Sequence, residues 1–410
     1  MYNLSESRKH ASSSFYTLNL LQKVLVSSLD IQSHALEEGF SVLDPCCGSG
    51  ALLVRFLVEY SVQVFEHLLI DQKRPLILNS IRKLIRERLY GIDTDPDALN
   101  FLKAYLRQVC GTTESNSWED NFVVSNSLEL SMQNLNLSMS RVLAFSRGFS
   151  VIICNPPWKL ESIFQSENSQ DAIKVKKKLP EEGKINFWSL FFRKCVEMIR
   201  PGGFMSILVP ETLVAEISQA PIRRFLFEEG NVKVLSLLHF SERRIWKEVG
   251  TGFVRLLIQK NRFFLLGQAS STREFQWNFN IGHANDLLPS RSFSLNIQDL
   301  IFPDPCFFII PLVRTQGLDI LKRIHSKSFL KLGEVLELHR GKQAGKQGGA
   351  LGTSGLRSLS GTEIHSCRIE SQSCDEFLSS LDTSIQVLVT RRIIFQVQRS
   401  DESLLLLEQT

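Results

Sequence analysis

"SVLDPCCGSG", Ser41 to Gly50, carries a short apolar stretch through an acid into a glycine-punctuated turn, and "ALLVRFLVEYSVQVFEHLL" follows it with helical spacing. A buried strand that ends in such a turn and opens a helix is the first unit of a parallel sheet with helices on both faces. The same rhythm repeats downstream. Apolar, β-branched runs end at Asp93 ("RLYGID"), Ser125 ("NFVVS"), Cys154 ("FSVIIC") and Val209 ("GFMSILV"), each followed by polar or Gly/Pro residues. Helical periodicity fills "DPDALNFLKAYLRQV", with Asp95 or Asp97 as its cap. It also fills "INFWSLFFRKCVEMI", expected to stop at Arg200 before Pro201, Gly202 and Gly203. "VKVLSLLHF" and "GFVRLLIQK" read as a strand pair closing the sheet.

Beyond about Gln268 this rhythm fades, and a domain transition is expected within 270–328. After it, "FLKLGEVLELHRGKQAGKQGGALGTSG" is a strand-like run that opens into a basic, glycine-rich loop, and "IQVLVTRRIIFQVQR" is a further apolar pair. The remaining residues are few for an independent core of the ~100–150 residues typical of a domain.

With 410 residues, 43% of them hydrophobic and 22% charged, the chain can bury a sizeable core, and a disordered chain is excluded. A net charge of +4 is mild, so attraction to a polyanion must come from local clusters. Eight cysteines form no Cys-x-x-Cys pair, and Cys154, Cys195 and Cys306 sit in apolar runs, as reduced core thiols do. The first twenty residues lack the apolar core of a signal peptide, and no apolar segment approaches the ~18 residues of a membrane span. A soluble, cytoplasmic protein with no membrane partner is expected. Eight histidines show no metal-ligand spacing, so no metal is expected.

In open parallel sheets ligands bind at the carboxyl ends of the strands. The residues at those positions are "DPCCGSG" from Asp44, "DTDPDA" from Asp93, "NSLE" from Asn126 and "NPPW" from Asn155. Gly48 and Gly50 let the backbone turn tightly and approach a ligand. The turn lacks the Gly-Lys-Ser/Thr ending of a triphosphate cradle, and Asp44 at its mouth would repel phosphate and welcome a cation. Asp93 can accept from both hydroxyls of a ribose, or it can simply cap a helix. Asn126 can pair with an adenine edge, or be a solvated turn residue.

Taken in order, "DPCCGSG", "GIDTDP", "VVSNSLE" and "ICNPPW" resemble the S-adenosylmethionine-dependent adenine-specific DNA methyltransferases of restriction-modification systems. "SFYTL", "INFWSLFFRKCVEMIRPGGFMSILVPETL" and "LGEVLELHRGKQAGKQ" extend the resemblance over nearly the whole chain. It implies an α/β, Rossmann-like class I methyltransferase fold with a mostly parallel seven-stranded sheet. The catalytic domain would occupy 1–300, a connector 301–328, and the start of a truncated target-recognition region 329–410.

The resemblance implies S-adenosylmethionine as cofactor and double-stranded DNA as partner, with a specificity subunit or a missing recognition segment as a further partner. Phe15, Tyr16 and Thr17 resemble the N-terminal cofactor motif, although Leu18 stands where proline is usual. Asp44, Pro45, Cys47, Gly48 and Gly50 would surround the methionine end of the cofactor. Asp93 would hold its ribose, Thr94 would pack beside its adenine, and Asn126 with Ser127 would meet the adenine edge. Arg340, Lys342 and Lys346 would contact DNA, unless their loop is only a disordered basic segment.

The catalytic residues implied are Asn155, Pro156, Pro157 and Trp158. An adenine amino nitrogen is a poor nucleophile because its lone pair is delocalised into the ring, and hydrogen-bond acceptors can localise that pair. The side-chain oxygen of Asn155 and the main-chain oxygen of Pro156 are two such acceptors, and the prolines keep their directions fixed. Trp158 offers a face to a flipped base, worth ~1–3 kcal/mol of stacking. Trp246, Phe253, Phe307 and Phe308 are candidates for the second face, with core packing as the competing reading. Lys174 to Lys178 is a DNA-backbone candidate or a solvated helix face. Two other readings stay open: a binding-only remnant dependent on a partner, since the chain stops at "SLLLLEQT", and a methyltransferase of protein glutamine or RNA adenine. No nuclease constellation is recognisable.

Overall fold

The computed structural model describes residues 17–29, 31, 39–66, 70–111, 117–130, 148–158, 187–229, 231–240, 252–261, 274–280, 291–296, 309–310, 319–320, 322–323, 337–339, 364–365, 368–369, 385–389 and 394–398. The chain divides into two compact units, Met1–Lys322 and Arg323–Thr410.

In the first unit, helix α1 (Asn19–Ser27) precedes β1 (Val42–Asp44) and α2 (Ala51–Phe65). Next come α3 (Ile70–Arg88), β2 (Leu89–Asp93), α4 (Pro96–Cys110) and β3 (Phe122–Val124). They are followed by β4 (Phe149–Cys154), α5 (Phe187–Met198), β5 (Ile199–Pro210) and the short helices α6 (Thr212–Ala215) and α7 (Ala220–Arg224). The strands β6 (Val232–Phe240), β7 (Phe253–Lys260), β8 (Glu274–Asn280) and β9 (Arg291–Asn296) complete the unit.

Nine strands form one sheet in the order β3-β2-β1-β4-β5-β7-β6-β8-β9. The first seven are the mostly parallel seven-stranded sheet that the sequence led us to expect, parallel from β3 to β5 and closed by antiparallel β7. The strand pair expected at "VKVLSLLHF" and "GFVRLLIQK" is β6 and β7, paired antiparallel. Two strands go beyond the expectation. β8 joins β6 in parallel and β9 pairs antiparallel with β8, inside the stretch beyond Gln268 where the rhythm of the sequence fades.

Alternation along the strands divides the core into two layers. Leu43, Ile152, Cys154, Met205, Ile207, Val254 and Leu256 face one layer, where Trp188, Phe192 and Cys195 of α5 cover them. Val42, Val151, Ile153, Leu208, Phe253 and Leu257 face the other, beneath α1, α2 and α4. The helices bury the spacing that the sequence carries: Ala98, Leu99, Leu102, Leu106 and Cys110 form one stripe of α4. Asp95 caps that helix, accepting from the amides of Asp97 (2.9 Å) and Ala98 (3.2 Å). At its other end Arg82 and Arg86 of α3 donate to the carbonyls of Val109 and Cys110 at 3.0 and 3.1 Å.

The expected stop at Arg200 is corrected. Helix α5 ends at Met198, and the Pro-Gly-Gly stretch lies inside β5 as an irregularity. Ile199 pairs with Phe149, but the next register pair is Phe204 with Val151. The intervening residues, with Gly202 at φ +80°, therefore bulge rather than terminate.

In the second unit β10 (Glu337–His339), β14 (Ile394–Gln398) and β13 (Ile385–Val389) form an antiparallel sheet, and β11 (Ile364–His365) pairs with β12 (Arg368–Ile369). No helix among the described residues is long and apolar enough to cross a membrane.

Candidate active site

The parallel strands β3, β2, β1 and β4 lie side by side, so the residues that follow them share the sheet's carboxyl edge: Asn126, Asp93, Asp44 and Asn155 in spatial order. β1 delivers the glycine turn. Gly48 and Gly50 both adopt left-handed backbone, at φ +51° and +83°. Their reasons differ. A Cβ added to Gly50 would run into Leu102 of α4, whereas one added to Gly48 would meet nothing within 4 Å. Only Gly48 opens onto free space, and Gly50 serves helix packing.

Asp93 ties the edge together. Its carboxylate accepts from the Gly48 amide at 2.7 Å and from the Asp95 amide at 2.9 Å, and its carbonyl accepts from Ser125 N at 2.9 Å. Burial raises its pKa, and these hydrogen bonds work against the rise. Of the two readings open for it, the capping role belongs to Asp95 instead. Thr94 is exposed beside it.

Asp44 does not stand at the mouth as expected. It is 1% exposed and lies beneath the turn, its carboxylate accepting from the Cys46 amide at 3.1 Å. Burial pushes it up to about 8; the Cys46 hydrogen bond opposes that and the charge of Asp93 adds to it. Cys47 is buried, its amide donating to the Ile92 carbonyl at 3.0 Å. Ser127 is buried and donates to the carbonyl of Pro45. Asn126 is engaged in its own turn: its side-chain oxygen accepts from Leu128 N at 3.1 Å and its amide donates to Glu129.

Asn155 leaves β4 half-buried, with Pro156 buried and Pro157 half-buried behind it. Its Nδ2 donates to Thr17 Oγ1 at 2.9 Å, and its carbonyl accepts from Cys46 Sγ at 3.4 Å. Trp158 is half-buried. Its indole N–H donates to the Leu208 carbonyl at 3.3 Å, and its ring lies 6.2 Å from that of Phe253 at 42°. Phe253 is fully buried and stacks on Phe240 at 5.0 Å, so it supports Trp158 and offers no second face to a base. Phe15, Tyr16, Lys174 to Lys178, Trp246, Cys306, Phe307, Phe308, Arg340, Lys342 and Lys346 lie outside the described residues.

Two features of this edge were missed in the sequence. Glu211, the first residue after β5, lies 3.3 Å from His239 Nε2, and its amide donates to the Gly252 carbonyl at 2.9 Å. Inspecting the residue after every strand, β5 included, would have found it. The other is Cys46, whose Sγ lies 3.4 Å from Cys154 Sγ.

Comparison with known proteins bears on this edge directly. Residues 87–246 match the family model described as Eco57I restriction-modification methylase. The matched segment covers less than half of the chain. It holds Asp93, Asn126, the Asn155–Trp158 turn and Glu211, while Asp44 and the glycine turn lie before it. The chain is 22% identical over 222 residues to the Type II methyltransferase M.VspI of Vibrio sp. (strain 343), covering 54% of this chain and 43% of that protein. It is 20% identical over 228 residues to the Type II methyltransferase M.BanIII of Aneurinibacillus aneurinilyticus, covering 56% and 34%. The chain thus spans less than half the length of these relatives. Among solved structures, a cryoEM DrdV–DNA complex superposes with a TM-score of 0.53 at 12% identity, over 76% of this chain and 32% of that one, a likeness of fold.

Proposed function

We propose that the chain is an adenine-specific DNA methyltransferase of a restriction-modification system, moving a methyl group from S-adenosylmethionine to the exocyclic N6 amino group of a flipped adenine in double-stranded DNA. The observation that carries this reading is the contact between the two turns: Cys46 Sγ reaches the carbonyl of Asn155, so the Asn-Pro-Pro-Trp turn adjoins the glycine turn.

The residues fit such a cofactor. Gly48 has free space beside it, each Asp93 carboxylate oxygen keeps a lone pair beyond its amide bond, and Thr94 is exposed to flank a purine. Burial raises both Asp44 and Asp93, neither is ion-paired among the described residues, and a cationic ligand beside them would favour their charged forms. When bound, S-adenosylmethionine supplies a methyl group made electrophilic by its sulfonium. Asn155 and Pro156 accept from the adenine amino group and localise its lone pair, and Trp158 carries the base on its ring. The bond to Thr17 uses the Asn155 amide nitrogen and leaves its oxygen with no donor among the described residues.

In this reading a specificity subunit or a further recognition segment is a partner in selective DNA binding, to which Arg340, Lys342 and Lys346 would add phosphate or base contacts. Calorimetric titration with S-adenosylmethionine tests the cofactor half. Saturable binding that Asp93→Ala weakens more than tenfold is expected, and an unchanged affinity in that variant removes Asp93 from the ribose site.

A further inference from the structure

The sequence shows no metal-ligand spacing, yet the fold gathers three metal-binding groups at the junction of the two turns. Asp44, Cys46 and Cys154 each offer a ligand atom, all within 4.8 Å of one another. Cys46 and Cys154 are 108 positions apart, with sulfurs separated by 3.4 Å. We propose that these three residues bind one thiophilic divalent cation, of the zinc and cadmium class, and that its presence excludes the cofactor; the second half rests on the function proposed above.

The dimensions agree with this. Zinc holds thiolate sulfur at ~2.3 Å and carboxylate oxygen at ~2.0–2.2 Å, so tetrahedral ligands sit about 3.8 Å apart and never more than ~4.6 Å. The sulfurs need to part by only a few tenths of an ångström. Three protein ligands leave a fourth position open, as in sites that exchange a ligand.

The surroundings agree as well. Asp44 is 1% exposed, the charge of another acid, Asp93, acts on it, and no Lys, Arg or His pairs with it among the described residues. A buried acid beside two soft sulfurs and no cation is complementary to a thiophilic divalent ion. Cys154 is fully buried, but Cys46 is partly exposed and gives an ion its entry. Such an ion would link β1 to the residue before Asn155, on the edge that the cofactor needs.

The test is a titration of the reduced chain, kept in a phosphine reductant so that no disulfide forms, with cadmium chloride alone. One equivalent should produce the ultraviolet thiolate-to-cadmium charge-transfer band. Cys46→Ser and Cys154→Ser should each remove most of it, while Cys110→Ser, which alters a buried thiol elsewhere, should leave it intact. Circular dichroism reports whether each variant folds, and the partly exposed Cys46 keeps the test decisive if Cys154→Ser does not. No band, or a band insensitive to Cys46→Ser, overturns the site. Competition is read separately: one equivalent of zinc should weaken S-adenosylmethionine binding at least tenfold in the parent chain and not in Cys46→Ser. An affinity indifferent to zinc overturns the exclusion. Failure to bind cofactor without metal overturns the proposed function, while the cadmium titration still reads the site.

Discussion

Asn155 Nδ2 donates to Thr17 Oγ1 across 2.9 Å, joining the residue after β4 to one 138 positions earlier, just ahead of α1. A hydroxyl can accept from an amide nitrogen or donate to an amide oxygen. Here the Asn155 nitrogen is turned toward Thr17, which leaves the oxygen on which the proposed chemistry depends turned away from it. Thr17→Val should lower methyl transfer at least tenfold while changing the S-adenosylmethionine dissociation constant less than threefold. Transfer kinetics and calorimetry on the same preparation check this; a large loss of affinity with normal turnover would return Thr17 to a purely cofactor-binding role.

The two glycines of the turn should separate fold from ligand. Gly50→Ala meets both a left-handed backbone and Leu102, and is expected to cost ~2 kcal/mol or more in urea unfolding. Gly48→Ala meets only the backbone penalty, ~1–2 kcal/mol, but fills the free space beside the turn and should weaken cofactor binding by more than tenfold. Equal effects of the two substitutions on cofactor affinity would count against the site.

Lys260 holds the far end of α5. Its ammonium donates to the carbonyls of Val196 and Ile199 at 2.8 Å each, completing the helix terminus where Pro-Gly-Gly bulges from β5. Lys260→Met should lower stability by ~1–2 kcal/mol without touching cofactor affinity.

The buried histidine gives a pH dependence of definite sign. Burial pushes His239 below its ordinary value, and the bond to Glu211 only partly restores it. The folded chain thus holds His239 neutral where the unfolded chain takes up a proton, so this residue lowers stability as pH falls through about 6.5. His239→Gln should lose that component. The difference between parent and variant in urea unfolding should shift in the variant's favour from pH 7.5 down to about 5.5, and a constant difference would refute the assignment.

Much of this arrangement was legible in the sequence because β1, β2, β4, β6 and β7 are short, nearly continuous apolar runs, and the residues after four of the sheet's strands carry unusual chemistry. Less legible were the parts in which local pattern and tertiary contact disagree. Helix α3 is strongly polar and contains Pro75, so its period is weak. β8 and β9, "EFQWNFN" and "RSFSLN", alternate polar and apolar residues, and β8 finds its place through pairing with β6 and β9 through pairing with β8. The burial of Asp44 could not be read from a turn whose neighbours look solvent-facing. The approach of Cys46 to Cys154 depends on β1 lying beside β4, a crossover that spacing along the chain does not report.

The central claim is that the Asn155 oxygen prepares an adenine amino group for methylation. Its most direct test is tritiated methyl transfer from S-adenosylmethionine to plasmid DNA, followed by sequencing that reports modified adenines, for the parent chain and for Asn155→Ala, each with any required specificity partner. The account expects N6-methyladenine from the parent, and from the variant at least a hundredfold less transfer with cofactor binding intact. Label on cytosine, or transfer by Asn155→Ala at the parent rate, would contradict it.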